Sequence, residues 1–200
     1  MMLLRYLAVA ILPLTVVVQN GKLYPWEVSV LNTHAPSSRP GSSPAASLDL
    51  KISDPNTLIA GKNAAGEDVE FPASSANCSV QWNSVGEEPF GWITPCESSE
   101  ASAVWTVEMQ GSNATGYGPS PTRDFKLKFV LEETVEVGEK IVGKTFEGVG
   151  AFALGDTLSM VCGASGACTL SLRKGTVLVQ QTLVAESTAE LQPGSKGGTN

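Results

Sequence analysis

The chain has 200 residues, 20 acidic and 13 basic side chains, a formal charge of −7 and 42% apolar residues. An acidic chain whose lysines and arginines are scattered lacks the electrostatic footprint for nucleic acid or an anionic membrane surface. The length suits one domain with a sizeable core.

Residues 1–20 read MMLLRYLAVAILPLTVVVQN. Arg5 supplies a positive start, and Leu7 to Val18 form an apolar stretch interrupted by Pro13. That pattern predicts a cleaved signal peptide rather than a membrane span, hence a secreted, extracellular protein with no membrane attachment after cleavage. Cleavage removes one base, Arg5, and no acid, so 12 Lys and Arg face 20 Asp and Glu in the mature chain, a charge of −8. The expected organisation is a leader over 1–20, a single β domain over 21–187 and a flexible polar tail over 188–200, without the hydrophobic end of a lipid-anchor signal.

From there period-2 alternation dominates, with no 3.6-residue period. In chain order, Trp26, Val28 and Val30 share a face, then Leu48, Leu50 and Ile52, then Cys78, Val80 and Trp82. Ala103, Trp105, Val107 and Met109 form the next, followed by Phe125, Leu127, Phe129 and Leu131. Leu158, Met160 and Cys162 precede Cys168, Leu170 and Leu172, and Val177 and Val179 open a last strand to about Val184. Ser53-Asp54-Pro55-Asn56 and Asn63-Ala64-Ala65-Gly66 read as turns, because proline presets φ while Asn and Gly tolerate positive φ. The Pro- and Ser-rich run 33–47 reads as a long surface loop, and 111–123 as a second. Gly148-Val149-Gly150 lacks the third glycine and the helix of a dinucleotide loop and reads as a bulge or turn. The predicted fold is all-β: a single compact antiparallel β-barrel or sandwich of about 9–11 strands with two disulfides.

Four cysteines behind a leader imply two disulfides, with three possible connectivities. A hairpin centred on Ser165 sets Cys162 opposite Cys168, Met160 opposite Leu170 and Leu158 opposite Leu172. All six side chains then share one face, so a single register satisfies bond and core together. Elimination pairs Cys78 with Cys96. The spacings do not fit a zinc site, and no metal or other cofactor is expected.

YPWEVSV with Trp26, SLDLKISDPN, NCSVQW, WITPC, AVWTVEM and a late, closely spaced cysteine pair follow one another in that order over roughly 23–185. This series resembles the fungal secreted proteins of the Alternaria major allergen family. The resemblance implies a β-barrel peculiar to fungi, two intrachain disulfides, and a role as allergen, elicitor or effector at the plant surface. This chain has no cysteine between its leader and Cys78, which excludes a covalent dimer through an N-terminal cysteine.

Catalytic signals are sparse. His34 is the only histidine and stands in the Pro/Ser run, where nothing orients it as a base, so it reads as a solvated loop residue. Glu87, Glu88, Glu97, Glu100 and Asp156 are carboxylates that a glycoside hydrolase would need in a pair. The first four lie in or beside the predicted disulfide loop, and Glu132-Glu133 reads as a solvated turn. Trp26, Trp82 and Trp105 read as core. Trp92 stands with Phe90 in the loop between Cys78 and Cys96, an aromatic anchor ringed by Glu87 and Glu88. These four residues form the predicted binding set. Asn77-Cys78-Ser79 and Asn113-Ala114-Thr115 are glycosylation sequons, with Asn113 the better placed acceptor. The expected function is non-enzymatic binding of a host or cell-wall protein or polysaccharide. A secreted carboxylate-dependent hydrolase and a carrier of a small apolar ligand are the alternatives.

Overall fold

The computed structural model describes residues 23–191. The predicted leader over 1–20 and residues 192–200 of the predicted tail lie outside the described residues. The described residues form fourteen strands: β1 (Trp26–Ala35), β2 (Ala45–Asp54), β3 (Leu58–Lys62), β4 (Asp68–Phe71), β5 (Ser74–Asn83), β6 (Ile93–Pro95), β7 (Glu97–Ser98), β8 (Ala103–Gly111), β9 (Asp124–Val137), β10 (Lys140–Ala153), β11 (Leu158–Cys162), β12 (Cys168–Leu172), β13 (Val177–Val179) and β14 (Gln181–Glu190). One sheet runs β11-β12-β1-β2-β5-β7, with β13 also on β1; a second runs β14-β10-β9-β8-β6; β3 and β4 make a separate ribbon. The strand pairs are antiparallel, and the two large sheets face one another as a sandwich rather than a closed barrel.

The strand count exceeds the expected 9–11 for two reasons. The β3–β4 ribbon is built from strands of only five and four residues, and a bulge between Ile59 and Gly61 breaks their alternation. Two segments also change sheet partway. Ile93–Pro95 pair with β8, whereas Glu97–Ser98 pair with β5, and Cys96 stands at the corner. Val177–Val179 pair with β1, and from Gln181 the chain pairs with β10. The predicted strand through Val184 is therefore two, and the second runs on to Glu190, so the domain continues past 187.

The alternating faces meet between the sheets. Leu48, Leu50, Ile52, Cys78, Val80 and Trp82 from one side pack with Trp105, Val107, Met109, Phe125, Leu127, Phe129 and Leu131 from the other. The rings of Trp26 and Trp105 meet edge-on at 4.8 Å, and those of Phe125 and Phe152 stack at 5.6 Å. Trp26, Trp82 and Trp105 are all buried, as the alternation predicts. Val30 leaves its predicted face. The β1–β2 register shifts between Val28 and Val30, and this bulge turns Val30 outward while Leu31 and Thr33 take the inner positions.

Gly148 and Gly150 lie in the straight run of β10, not in a bulge or turn. They are small because the sheet-changing segment crosses here. A Cβ on Gly148 would stand 2.7 Å from the Gln180 carbonyl and 3.0 Å from both Trp26 and Val179. The β3–β4 ribbon approaches the far half of β9 just as closely, since a Cβ on Gly61 would lie 2.8 Å from Val137. Phe71 of that ribbon is fully buried.

Candidate functional site

Strand pairing gathers several connections at one end of the sandwich. Ala35 sits opposite Cys168, Ala45 opposite Asn83, and Gly111 opposite Phe125. The loops 36–44, 84–92 and 112–123 and the 163–167 hairpin tip therefore cluster there, flanked by the 154–157 turn. Cross-ties hold them together. Thr33 donates from its hydroxyl to the Thr122 carbonyl at 2.9 Å, Ser37 to Ser165 at 2.6 Å, and the Leu154 N–H to Arg123 at 2.9 Å. The first of these loops is shorter than the predicted 33–47 run, because Thr33–Ala35 continue β1. His34 is thus a half-buried strand residue paired with Ser47 and Thr169, not a loop residue. A central β-ladder position, bonded on both sides, overrides the Pro/Ser character of the adjoining residues 36–44.

The predicted binding set separates into its members. Trp92 is 41% exposed and its neighbour Ile93 69%. A turn closed by the Trp92 N–H on the Pro89 carbonyl (3.2 Å), and the Gly91 N–H on Met109 (2.8 Å), fix the indole at the edge of the second sheet. Phe90 is half-buried against the core. The Glu87 carboxylate accepts the Asn83 N–H at 2.7 Å, which folds it back to close its own loop. Glu88 is exposed. The Cys78–Cys96 bridge anchors the far end of this segment.

Beside it lies a cleft of about 660 Å³ that the sequence did not signal. It is lined by the 114–120 loop, Arg123, Asp124 and Ala153–Asp156. Asp124, at the start of β9, organises its wall. Its carboxylate accepts the N–H groups of Ala114 (3.2 Å) and Thr115 (2.6 Å) and the Thr115 hydroxyl (2.6 Å). Burial works to raise the Asp124 pKa, but these donors together with Ser112 prevail and hold it below the ordinary aspartate value. The Gly118 N–H donates to the Asn113 side chain at 2.9 Å. Tyr117, between Gly116 and Gly118 at φ of 78° and 86°, is consequently displayed 97% exposed on a pinned loop. The sequon at Asn113 is in this exposed loop, with its threonine hydroxyl committed to Asp124. Asn77 of the other sequon faces outward on β5 between Lys51 and Glu97, in a groove of about 450 Å³.

The opposite end holds the polar group that sequence reading misplaced. Glu133 is not in a solvated turn. β9 continues to Val137, Glu133 is an inward position, and it is only 4% exposed. Burial raises its pKa from 4.5 to about 7, Asp54 adds to the shift, and Lys144 opposes it. Lys144, directly opposite on β10, is drawn to Glu186 at 3.1 Å, so Glu133 shares this cation with a second carboxylate. Asp54 is itself buried, and its carboxylate accepts from Asn56 and, at 3.3 Å, from Gln181. The signal available in the sequence was parity: 133 continues the inward series 125, 127, 129, 131.

Both disulfides are formed as derived, Cys78–Cys96 and Cys162–Cys168, and no cysteine is free. The β11–β12 register matches residue for residue. The shared face is core only in part, however. Leu158 and Leu170 are fully buried, whereas Met160, opposite Leu170 but on the edge strand β11, is 42% exposed. Among the described residues no helix is long and apolar enough to cross a membrane, and no group of three His, Cys, Asp or Glu is placed to hold a metal ion. No family model, curated protein or solved structure matches the chain.

Proposed function

We propose that this chain is a secreted, non-enzymatic binding protein of the kind found in the Alternaria major allergen family, and that it engages a host or cell-wall component through the loop end of the sandwich. The observation that carries the reading is the combination of pinned loops and displayed aromatic side chains at that end, above an interior filled by Trp26, Trp105 and the phenylalanines. Recognition on loops held by a rigid scaffold loses little entropy on binding. Two disulfides fit an oxidising, extracellular compartment.

The division of carboxylates supports binding over hydrolysis. A glycosidase needs an acid with a raised pKa beside a second carboxylate in one cleft. Here the raised group, Glu133, is at the end remote from the cleft; the cleft's own two carboxylates are Asp156, which is exposed, and Asp124, which its donors hold ionised. A filled core likewise favours recognition on the outside over carriage of an apolar ligand within.

The test is retention of the secreted protein on insoluble plant and fungal cell-wall fractions and on immobilised extracellular plant proteins. Wild type is expected to be retained by at least one, and Trp92→Ala to weaken retention while costing no more than about 2 kcal/mol of stability, below the 3–5 kcal/mol of a core aromatic. Absence of retention on all of them refutes the reading, and a core-sized stability loss removes Trp92 from the surface.

A further inference from the structure

We propose that the cleft between the 112–123 loop and the 154–157 turn is a saccharide site that accepts a short neutral oligosaccharide. The proposal rests on the reading of the loop end as a recognition surface, and names the ligand class for one part of it.

Four features converge. The cleft, at about 660 Å³, lies within the 300–1,000 Å³ typical of small-molecule sites. Tyr117, 97% exposed, offers an aromatic face at its rim. Sugar rings present apolar C–H faces and hydroxyl edges, so an aromatic platform beside convergent polar groups matches both. Arg123 and Asp156, both exposed, supply those groups: a guanidinium has five donors, and a carboxylate accepts from two or more hydroxyls. Among the described residues neither enters an ion pair, since the ion pairs found are Lys62–Asp68, Lys128–Glu147 and Lys144–Glu186. Their hydrogen-bonding capacity is thus open to a ligand.

The charge balance selects the ligand. Arg123 and Asp156 carry opposite signs, the Arg173 guanidinium is turned onto the Gly155 carbonyl at the 154–157 turn, and the charge on Asp124 is turned into the protein by its three donors. A neutral polyol meets donors and acceptors in one cleft without an uncompensated charge. An acidic sugar chain would face Asp156 and the overall negative charge of the protein. The wall is also preorganised. Asp124 and Asn113 fix the backbone on both sides of Tyr117, so binding orders only side-chain torsions, and tyrosine has few of these to lose.

Protein exported to a bacterial periplasm forms its disulfides and carries no glycan at Asn113. Calorimetric titration of this protein with cello-, xylo-, laminari- and chito-oligosaccharides is expected to show binding of at least one series, stronger than that of oligogalacturonate. Tyr117→Ala and Asp156→Asn are each expected to weaken that binding by about tenfold or more, the loss of one anchoring contact, with an unchanged melting temperature because both side chains are exposed. Three results overturn the proposal: no neutral series binds, oligogalacturonate binds more tightly, or both variants bind as wild type does. If any of these occurs while wall or protein retention persists, the cleft assignment fails and the loop-end reading stands. If retention is absent as well, both fail.

Discussion

Replacing Glu133 by glutamine should stabilise the protein above neutral pH and leave it nearly unchanged in mild acid. Glu133 is buried on the inner face of β9. The charged groups around it are Asp54 from β2, Lys144 from β10, and Glu186 from β14, which holds Lys144 at 3.1 Å. Its folded-state pKa is raised from 4.5 to about 7, so the folded protein holds the proton more tightly than the unfolded chain does. The contribution of this group is therefore fully present below pH 4.5 and is lost as the pH rises through about 7. At about 1.4 kcal/mol per pH unit the gap is worth roughly 3 kcal/mol by pH 8.5. Glutamine keeps the size and polarity of the protonated acid and cannot ionise. For a domain of this length 1 kcal/mol moves the melting temperature by about 2–4 °C. Glu133→Gln should then melt about 6–12 °C above wild type at pH 8.5, and within a few degrees of it at pH 4.5. Differential scanning calorimetry across that range measures the difference directly. A shift of equal size at both pH values, or a loss at pH 8.5, would refute the reasoning, because either outcome means that Glu133 is not carrying a buried charge at high pH.

The glycine that lets the chain change sheet gives a second test. Gly148→Ala puts a Cβ 2.7 Å from the Gln180 backbone carbonyl, and should cost about 1–3 kcal/mol in urea unfolding. Thr182→Ala on the next, exposed position of β14 should change little, and equal effects of the two would remove the close-approach argument. The disulfides should rank by the chain they enclose. With separations of 18 and 6 residues, removal of Cys78–Cys96 by paired alanines should cost about 3 kcal/mol and removal of Cys162–Cys168 about 2. A larger loss at the exposed hairpin tip would contradict this order.

Alternation along single strands was legible in the sequence because a strand's side-chain period is local and needs no partner. It placed Leu48–Ile52, Cys78–Trp82, Ala103–Met109 and Phe125–Leu131 on inner faces, and the same parity fixed the Cys162–Cys168 register. The acidic charge and the absence of a helical period were equally local. Other features needed the second sheet. Val30 turned outward because a bulge in pairing with β2 slipped the period by one. Met160 is half open because it stands on the edge strand β11, while Leu170 opposite it on β12 is covered. Segments 93–98 and 177–190 change partners at Cys96 and Gln180, and the sequence records only a continuous extended run at each place. The 660 Å³ cleft joins residues near 117 to others near 155 through Asp124. Glu133 looks like one half of an ordinary acidic pair until Asp54 and a shared Lys144 surround it. Local spacing sets which way a side chain points; what it then meets depends on groups brought together over distances that the chain's own periodicity does not encode.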